Sequence, residues 1–142
     1  MKWSLLLLFP LAFLWSCRVE NNLKVPTEPI KSINGTWQII AATENGSDLT
    51  KMFDFSQFRI TFTDSTYTIT NLLPFMVNTS TGKWSFNDPQ YPFTMTLTPT
   101  DSSSSVSSPL QYPVVAGVRN MILTFSPGCP QNSYEYTLQL AQ

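Results

Sequence analysis

Four short segments of the chain alternate between apolar and polar residues, and this two-residue period limits the fold more than any other feature. They are Phe58–Thr63, Thr66–Thr70, Phe93–Thr98 and Tyr134–Leu140. Successive side chains of a β-strand point to opposite faces of a sheet, so this period predicts strands with one buried and one exposed face. Asp64-Ser65, between the first two segments, predicts a tight antiparallel turn.

Further segments extend the pattern to seven or eight strands that are joined mostly by short turns. They are Ile33–Thr43, Lys83–Phe86, Tyr112–Val118 and Met121–Phe125. Asp48 is a residue type that caps helices, and the short apolar pair that follows it predicts one short helix near residues 48–54. Residues 99–109 contain six serines and predict an exposed loop.

The chain is therefore predicted to be all-β, and its 142 residues have the size of one domain. Short sequential strands without long helices are typical of a β-sandwich or an up-and-down barrel. Hairpin connections between neighbouring strands favour an antiparallel meander. About eight strands can close into a barrel that is filled by side chains or holds one small ligand.

The first residues have the pattern of an export signal. Lys2 precedes the apolar run Leu5–Trp15, which is too short to span a membrane and has the length of a signal-peptide core. The residues from Leu14 to Cys17 resemble the bacterial lipobox, in which a lipid is attached to the cysteine and the leader is cut before it. The resemblance implies a signal peptide over residues 1–16 and lipidation at Cys17. An ordinary secretory leader is the alternative.

Residues 17–32 mix charged residues, asparagine and proline without a period. This composition predicts a lipidated, flexible tether to a barrel domain over residues 33–142. The partner at this end would be the membrane, and the predicted location is the cell envelope, with the outer membrane as the expected site. Cys129 would then lack a disulfide partner, and we predict a small, buried apolar side chain there.

Several motifs carry a family resemblance: the lipobox, the proline-containing tether, Gly35-Thr36-Trp37, Phe53–Phe58, Thr66–Ile69, Gly82–Phe86 and Tyr134–Leu140. Together they resemble the lipocalin-like domains of lipoproteins of the Bacteroidetes type, a family largely of unknown function. The resemblance implies a lipocalin-like barrel in which Trp37 packs across the closed end. Lipocalins cover this tryptophan with an arginine near the end of the chain, and Arg119 is the candidate here.

The charges and residue types argue against several classes of function. The net charge is −1 and only 12% of the residues are charged, so we expect no binding of nucleic acid. The chain contains no histidine, which removes histidine-based catalytic triads and metal sites. The sequence also lacks a phosphate-binding loop, a Cys-x-x-Cys pair and a nucleophile motif. We therefore expect no enzyme activity, no cofactor and no metal.

Five aromatic residues are candidates either for ligand contacts or for the core: Trp37, Tyr67, Phe75, Trp84 and Tyr91. Each buries a large area when it lies inside a protein, so packing explains them as well as ligand binding does. Asp64-Ser65-Thr66 resembles an O-glycosylation acceptor of the same group of bacteria, which makes Ser65 a candidate for modification. A hairpin turn explains these three residues equally well.

Two functions therefore remain open. The first is a membrane-anchored, non-enzymatic, lipocalin-like lipoprotein that binds a small apolar or amphipathic ligand. The second is a tethered structural subunit, or an accessory subunit that contacts proteins or glycans, with a filled barrel. An aromatic-lined cavity of several hundred Å³ would favour the first function. A packed interior with an exposed apolar patch would favour the second.

Overall fold

The computed structural model describes residues 26–73, 76–101 and 104–142, and in these residues the protein is all-β. Eight antiparallel strands form a closed barrel, and two strands of two residues each lie beside it. The strands are β1 (Gly35–Glu44), β2 (Ser47–Asp48), β3 (Arg59–Phe62), β4 (Thr66–Thr70), β5 (Thr81–Phe86), β6 (Thr94–Pro99), β7 (Val106–Gln111), β8 (Val114–Val115), β9 (Val118–Phe125) and β10 (Tyr134–Leu140).

The barrel is an up-and-down meander, which confirms the predicted fold class. Each barrel strand pairs with the next in the order β1, β3, β4, β5, β6, β7, β9 and β10. The last strand then pairs with β1 and closes the barrel, in a register that runs from Trp37 opposite Leu140 to Glu44 opposite Tyr134. A register shift between Ile39 and residue 41 marks a β-bulge, which lets the long strand β1 bend around the barrel.

The inward-facing side chains fill the barrel. Burial alternates along β6, where Met95 and Leu97 are fully buried and the threonines at positions 94, 96 and 98 are half-exposed. Other barrel strands contribute larger inward groups, namely Trp37, Phe62, Tyr67 and Tyr136, and Phe58 adds a further buried ring just before β3. The centre of the barrel is therefore a packed hydrophobic core.

The predicted short helix near residues 48–54 is wrong. The N–H groups of Met52 and Phe53 both donate to the Leu49 carbonyl, at 2.9 and 3.2 Å, and this single turn does not continue. Asp48 caps the turn by accepting a hydrogen bond from the Thr50 N–H at 2.8 Å. The same aspartate belongs to β2, which pairs with β1 and holds the chain extended. Within the described part of the chain, no helix is long and apolar enough to cross a membrane.

The barrel has two different ends, which we call the base and the mouth. The base holds the start of β1, the β3–β4 turn, the β5–β6 loop, the β8–β9 hairpin and the end of β10. The mouth holds the loops that join β2 to β3, β4 to β5, β6 to β7 and β9 to β10. The chain therefore enters the barrel and leaves it at the base.

Residues just before β1 close the base. The Gln90 side chain in the β5–β6 loop donates to the Glu28 carbonyl at 3.0 Å. Ile33 is buried, and its carbonyl accepts a hydrogen bond from the Trp37 indole N–H at 2.8 Å. Residues 28–32, the last part of the predicted tether, therefore contact the barrel.

Trp37 packs across the base, as the lipocalin resemblance implies. Its ring lies against Tyr112, with 6.1 Å between the ring centroids. Arg119 covers this tryptophan only indirectly, because its guanidinium lies over the Tyr112 ring, 4.8 Å from the centroid. The guanidinium also donates to the Tyr112 carbonyl at 2.9 Å. The arginine therefore covers the tyrosine that covers the tryptophan.

Cys129 is exposed in the β9–β10 loop, so its predicted burial is wrong. The Cys129 N–H donates to the Pro127 carbonyl at 3.0 Å, and the Asn132 N–H donates to the Cys129 carbonyl at 2.9 Å. Gly128, between Pro127 and Cys129, has a φ of 79°, a backbone conformation that glycine adopts easily. These turn contacts keep the cysteine on the surface of the mouth, away from the core.

Candidate functional site

The loop between β2 and β3 folds over the mouth and forms one wall of the candidate site. The Leu49 N–H donates to the Ala42 carbonyl at 2.8 Å, and the Ala42 N–H donates to the Thr50 hydroxyl at 3.0 Å. At the far end of the loop, Phe58 is buried in the core. Both ends of the loop are therefore fixed, and its middle lies on the surface, where Phe53 is 56% exposed.

Aromatic rings form the floor of the site. Phe55 packs edge-on against Tyr136, with 6.3 Å between the ring centroids, and lies at the same distance from Phe53. Tyr136 also contacts Phe125 at 6.3 Å. Tilted and edge-on ring pairs at these distances attract one another and hold their orientations. The series of rings leads from the exposed Phe53 to the buried Tyr136 in the core.

A cleft of about 330 Å³ opens between this loop and the end of β10. Its lining combines an apolar majority with two carboxylates: Glu44, Leu49, Phe53, Asp54, Phe55, Leu73, Tyr134 and Tyr136. Small-molecule sites usually measure about 300–1,000 Å³ and have an apolar lining with a few polar groups. The cleft therefore has the size and composition of a site for a small ligand.

The two carboxylates that line the cleft, Glu44 and Asp54, both accept hydrogen bonds. Glu44 accepts a hydrogen bond from the Tyr134 hydroxyl at 2.8 Å. This bond raises the pKa of Tyr134, because only the protonated hydroxyl can donate it. Hydrogen bonds from the Ser56 hydroxyl and N–H lower the pKa of Asp54, which is therefore ionised at neutral pH.

The polar groups of the site are two carboxylates, Glu44 and Asp54, and the phenol hydroxyls of Tyr134 and Tyr136. Lysine, arginine, cysteine and serine are absent from its described lining residues. Burial raises the pKa of Tyr136 far above its usual value, so this hydroxyl is protonated at neutral pH. In the part of the chain that the structure describes, no group of three Cys, Asp or Glu side chains could hold a metal ion. The cleft can hold an apolar group against its rings and a cation or hydrogen-bond donor near Glu44 and Asp54.

Two other depressions are larger and more open. A groove of about 460 Å³ runs beside the mouth ends of β7 and β9, where three serines, Asn78 and Thr124 lie among apolar residues. A second depression of about 450 Å³ lies under the segment 30–34 at the base, beside Trp84 and Phe86. The groove has one ring in its lining, Phe125, and the depression at the base has two, whereas four rings line the smaller and more enclosed cleft. We therefore place the candidate site in this cleft.

Of the five predicted aromatic residues, the four that the structure describes do not lie together. Trp37 and Tyr67 are core residues with at most 1% of their surface exposed. Tyr91 lies in the β5–β6 loop at the base and is 63% exposed. Phe75 and the predicted lipidation site Cys17 lie outside the described residues.

Trp84 lies near the base and does not reach the mouth cleft. Its ring packs edge-on against Phe62 and Phe86, with centroid distances of 5.7 and 4.9 Å. Its indole N–H donates to the Thr63 carbonyl at 2.7 Å. The carbonyl of the exposed Ser65 in the same turn accepts the Trp84 N–H at 3.0 Å. Glycosylation of Ser65 stays a prediction.

The residues that line the mouth cleft are not among the candidate ligand residues that the sequence predicts. Phe53 and Phe55 belong to a motif of the family resemblance, and Tyr134 and Tyr136 belong to the predicted last strand, but no local pattern joins the two segments. The two segments meet because the barrel closes: β1 pairs with β10, and this pairing sets Glu44 opposite Tyr134. If the first predicted strand is paired with the last one, Glu44 and Tyr134 are expected at the same end of the barrel.

A family model matches most of the chain. It describes a domain of unknown function (DUF5004) and matches residues 19–139. No curated protein and no solved structure matches the chain.

Proposed function

The chain belongs to the DUF5004 family of domains of unknown function, and we therefore propose a function from the geometry of the structure. The proposed function is that of a membrane-anchored, non-enzymatic barrel protein that binds a small amphipathic ligand. The observation that carries the proposal is the aromatic cleft of about 330 Å³ at the mouth. The anchor would be the lipid predicted on Cys17. The protein would be located in the cell envelope, and we expect it at the outer membrane.

The ligand would bind at the mouth and not inside the barrel. The barrel interior is occupied by large side chains such as Trp37 and Tyr67, whereas the mouth cleft can be reached from solvent. A ligand there would place its apolar body against Phe53 and Phe55.

The head group of the ligand would carry a positive charge or hydrogen-bond donors. Glu44 and Asp54 face the cleft, and its described lining contains no lysine or arginine to balance them. Opposite charges attract more strongly at a partly buried site than in bulk water. A cation can also lie over an aromatic ring such as that of Phe53.

The proposal is tested by titrating the full chain, in a mild detergent, with 4-phenylbutylamine and with 4-phenylbutyrate. The two probes share an apolar body and carry opposite charges at neutral pH. The amine is expected to bind on the order of tenfold more tightly than the carboxylate, measured by isothermal titration calorimetry. Equal affinities, or a preference for the carboxylate, would contradict the proposed head group.

A matched pair of variants locates the binding site. Phe53→Ala removes an exposed ring from the cleft, and Tyr91→Ala removes an equally exposed ring from the base. We expect the cleft variant to bind the amine about 2- to 10-fold more weakly, because an aromatic contact contributes about 0.5–1.5 kcal/mol. The base variant should bind as the unchanged chain does. Equal losses in both variants would place binding elsewhere.

A second candidate function is a tethered structural subunit, or an accessory subunit that contacts proteins or glycans. The filled barrel favours it, because Met95, Leu97, Leu123 and Leu138 occupy the interior and are fully buried. Native mass spectrometry of the purified full chain separates the two functions. A co-purified small molecule supports ligand binding, and a mass that corresponds to the chain and its anchor alone supports the structural role.

A further inference from the structure

Most of the large apolar side chains that stay exposed in the described residues lie at the base. We call six of them the apolar base: Tyr91, Phe93, Val114, Val115, Val118 and Leu140, which are between 43% and 68% exposed. Ile30, on the segment that enters the barrel, is 72% exposed beside them. Exposed apolar residues in such a concentration mark an interaction surface more often than isolated ones do.

The elements that carry the apolar base are neighbours in the sheet. The Phe93 carbonyl accepts the N–H of Leu110, near the end of β7, at 2.9 Å. The β8–β9 hairpin follows directly, and in it Val115 pairs with Val118. Next to β9 lies β10, which ends with Leu140. The apolar base therefore extends from the β5–β6 loop through the hairpin to the end of the last strand.

We infer that the apolar base docks onto the lipid surface to which the chain is anchored, so that the mouth cleft faces away from the membrane. The inference rests on the proposed function, because it needs the anchor on Cys17. Residues 28–33 pack on the base, so the anchoring segment leaves the barrel at the end that would meet the lipid.

The length of the anchoring segment does not by itself decide the orientation. The chain from Cys17 to Glu28 could span at most about 40 Å when fully extended. A barrel strand of six to ten residues is only about 20–33 Å long. Either end of the barrel could therefore reach the lipid. The apolar side chains decide between the two ends, because apolar residues and tyrosine are stabilised at the boundary between lipid headgroups and acyl chains.

The distribution of charge favours the same orientation. Among the described residues, the mouth has two cations and five carboxylates: Glu44, Asp48, Asp54, Asp101 and Glu135. The base has two cations and three carboxylates, and one ion pair joins Lys31 to Glu28. A surface that contains anionic lipids therefore repels the mouth more strongly than the base.

Site-specific fluorescence tests the orientation in the full, acylated chain. The chain is reconstituted into vesicles of phosphatidylethanolamine and phosphatidylglycerol that contain a nitroxide-labelled lipid. The exposed Cys129 carries a fluorophore at the mouth, and Val115→Cys in a Cys129→Ser chain carries it at the base. We expect the fluorophore at residue 115 to be quenched several-fold more strongly than the one at residue 129.

A second pair of variants tests the apolar contact itself. Phe93→Glu is expected to remove the stronger quenching at the base while the chain still sediments with the vesicles. Phe53→Glu, at a similarly exposed phenylalanine of the mouth, should leave it unchanged. If the chain sediments with the vesicles and the two fluorophores are quenched equally, the docking of the apolar base is wrong and the membrane anchor is still supported. A chain that stays in the supernatant overturns both.

Discussion

Gly82 shows how closely side chains fill the interior. A methyl group at this position would lie 2.3 Å from the Thr98 carbonyl oxygen and 2.6 Å from the Tyr67 ring. Neither neighbour can move easily, since the first is backbone and the second is a buried ring. The backbone of Gly82 is not in the left-handed region, so space alone requires glycine here.

Gly82→Ala is therefore expected to lower the free energy of unfolding by about 1–3 kcal/mol, the usual effect of overpacking a core. Chemical denaturation of the variant measures this change as a lower midpoint. Ser85→Ala, on the outward face of the same strand, is the matched control and should change stability by less than about 0.5 kcal/mol. An unchanged midpoint for Gly82→Ala would show that the Tyr67 ring has room to move.

At the scale of the strands, β7 and β9 are joined partly by a side chain. Their backbone ladder contains only two residue pairs, both at the base end. Further toward the mouth, the Thr124 N–H donates to the buried Ser108 hydroxyl at 2.8 Å, and this hydroxyl donates to the Pro109 carbonyl at 2.8 Å. The serine therefore extends the connection between strands past the point where the ladder ends.

Ser108→Ala is expected to destabilise the barrel by about 1–3 kcal/mol, because the Thr124 N–H would lose its acceptor in a partly buried position. Thermal unfolding measures the change. The neighbouring Ser107→Ala removes only an exposed hydroxyl bond to Thr96, at 3.1 Å, and should have little effect. Equal effects of the two substitutions would mean that the bridging hydroxyl adds nothing to the pairing of β7 with β9.

The same strand shows why part of the fold could not be predicted from the sequence. Strands with apolar inward positions, such as Thr94–Pro99, stand out by their alternation. In Val106–Gln111 an inward position is a serine, Ser108, whose hydroxyl finds partners only in the folded barrel. Residues 99–109 were therefore predicted to be a loop. Likewise, the capping signal of Asp48 is real, but pairing with β1 outweighs it and leaves a single turn.

The candidate site was harder to predict than the strands, because its two halves are far apart in the sequence. Glu44 and Tyr134 are separated by 90 positions and share a hydrogen bond only because the barrel closes. The aromatic residue type also does not show whether a side chain lies in the core or in the cleft. Trp37 is buried in the core and Phe53 is largely exposed, and only the strand face or loop to which each belongs decides this.

For the molecule as a whole, we expect stability to change little with pH until the solution becomes alkaline. The chain has no histidine, so no imidazole titrates near neutrality. Burial, together with Tyr134 and Glu44, raises the pKa of Tyr136 in the folded state well above the ordinary value of 10.0. A raised folded pKa contributes stability that is fully present below the unfolded pKa and is lost as pH rises above it.

The thermal unfolding midpoint is therefore expected to stay nearly constant between about pH 5 and pH 9 and to fall above about pH 10. Tyr136→Phe should flatten this alkaline fall, whereas Tyr91→Phe, at an exposed position, should leave it unchanged. On the acid side, hydrogen bonds lower the pKa values of the exposed Asp48 and Asp54 and of the half-exposed Asp88, so only a small loss of stability is expected below about pH 4. A steady decline between pH 5 and pH 9 would contradict the prediction.

The pairing of β1 with Tyr134–Leu140 also governs the order in which the chain can acquire structure during synthesis. Among the barrel strands, β1 is translated first and pairs with β10, which is translated after the other seven. Until then the nascent sheet has two open edges, which are prone to pair with other chains. Contacts between such distant parts of a sequence also form slowly. A product that terminates before residue 134 therefore lacks β10, and the barrel can close only after residues 134–140 have been translated.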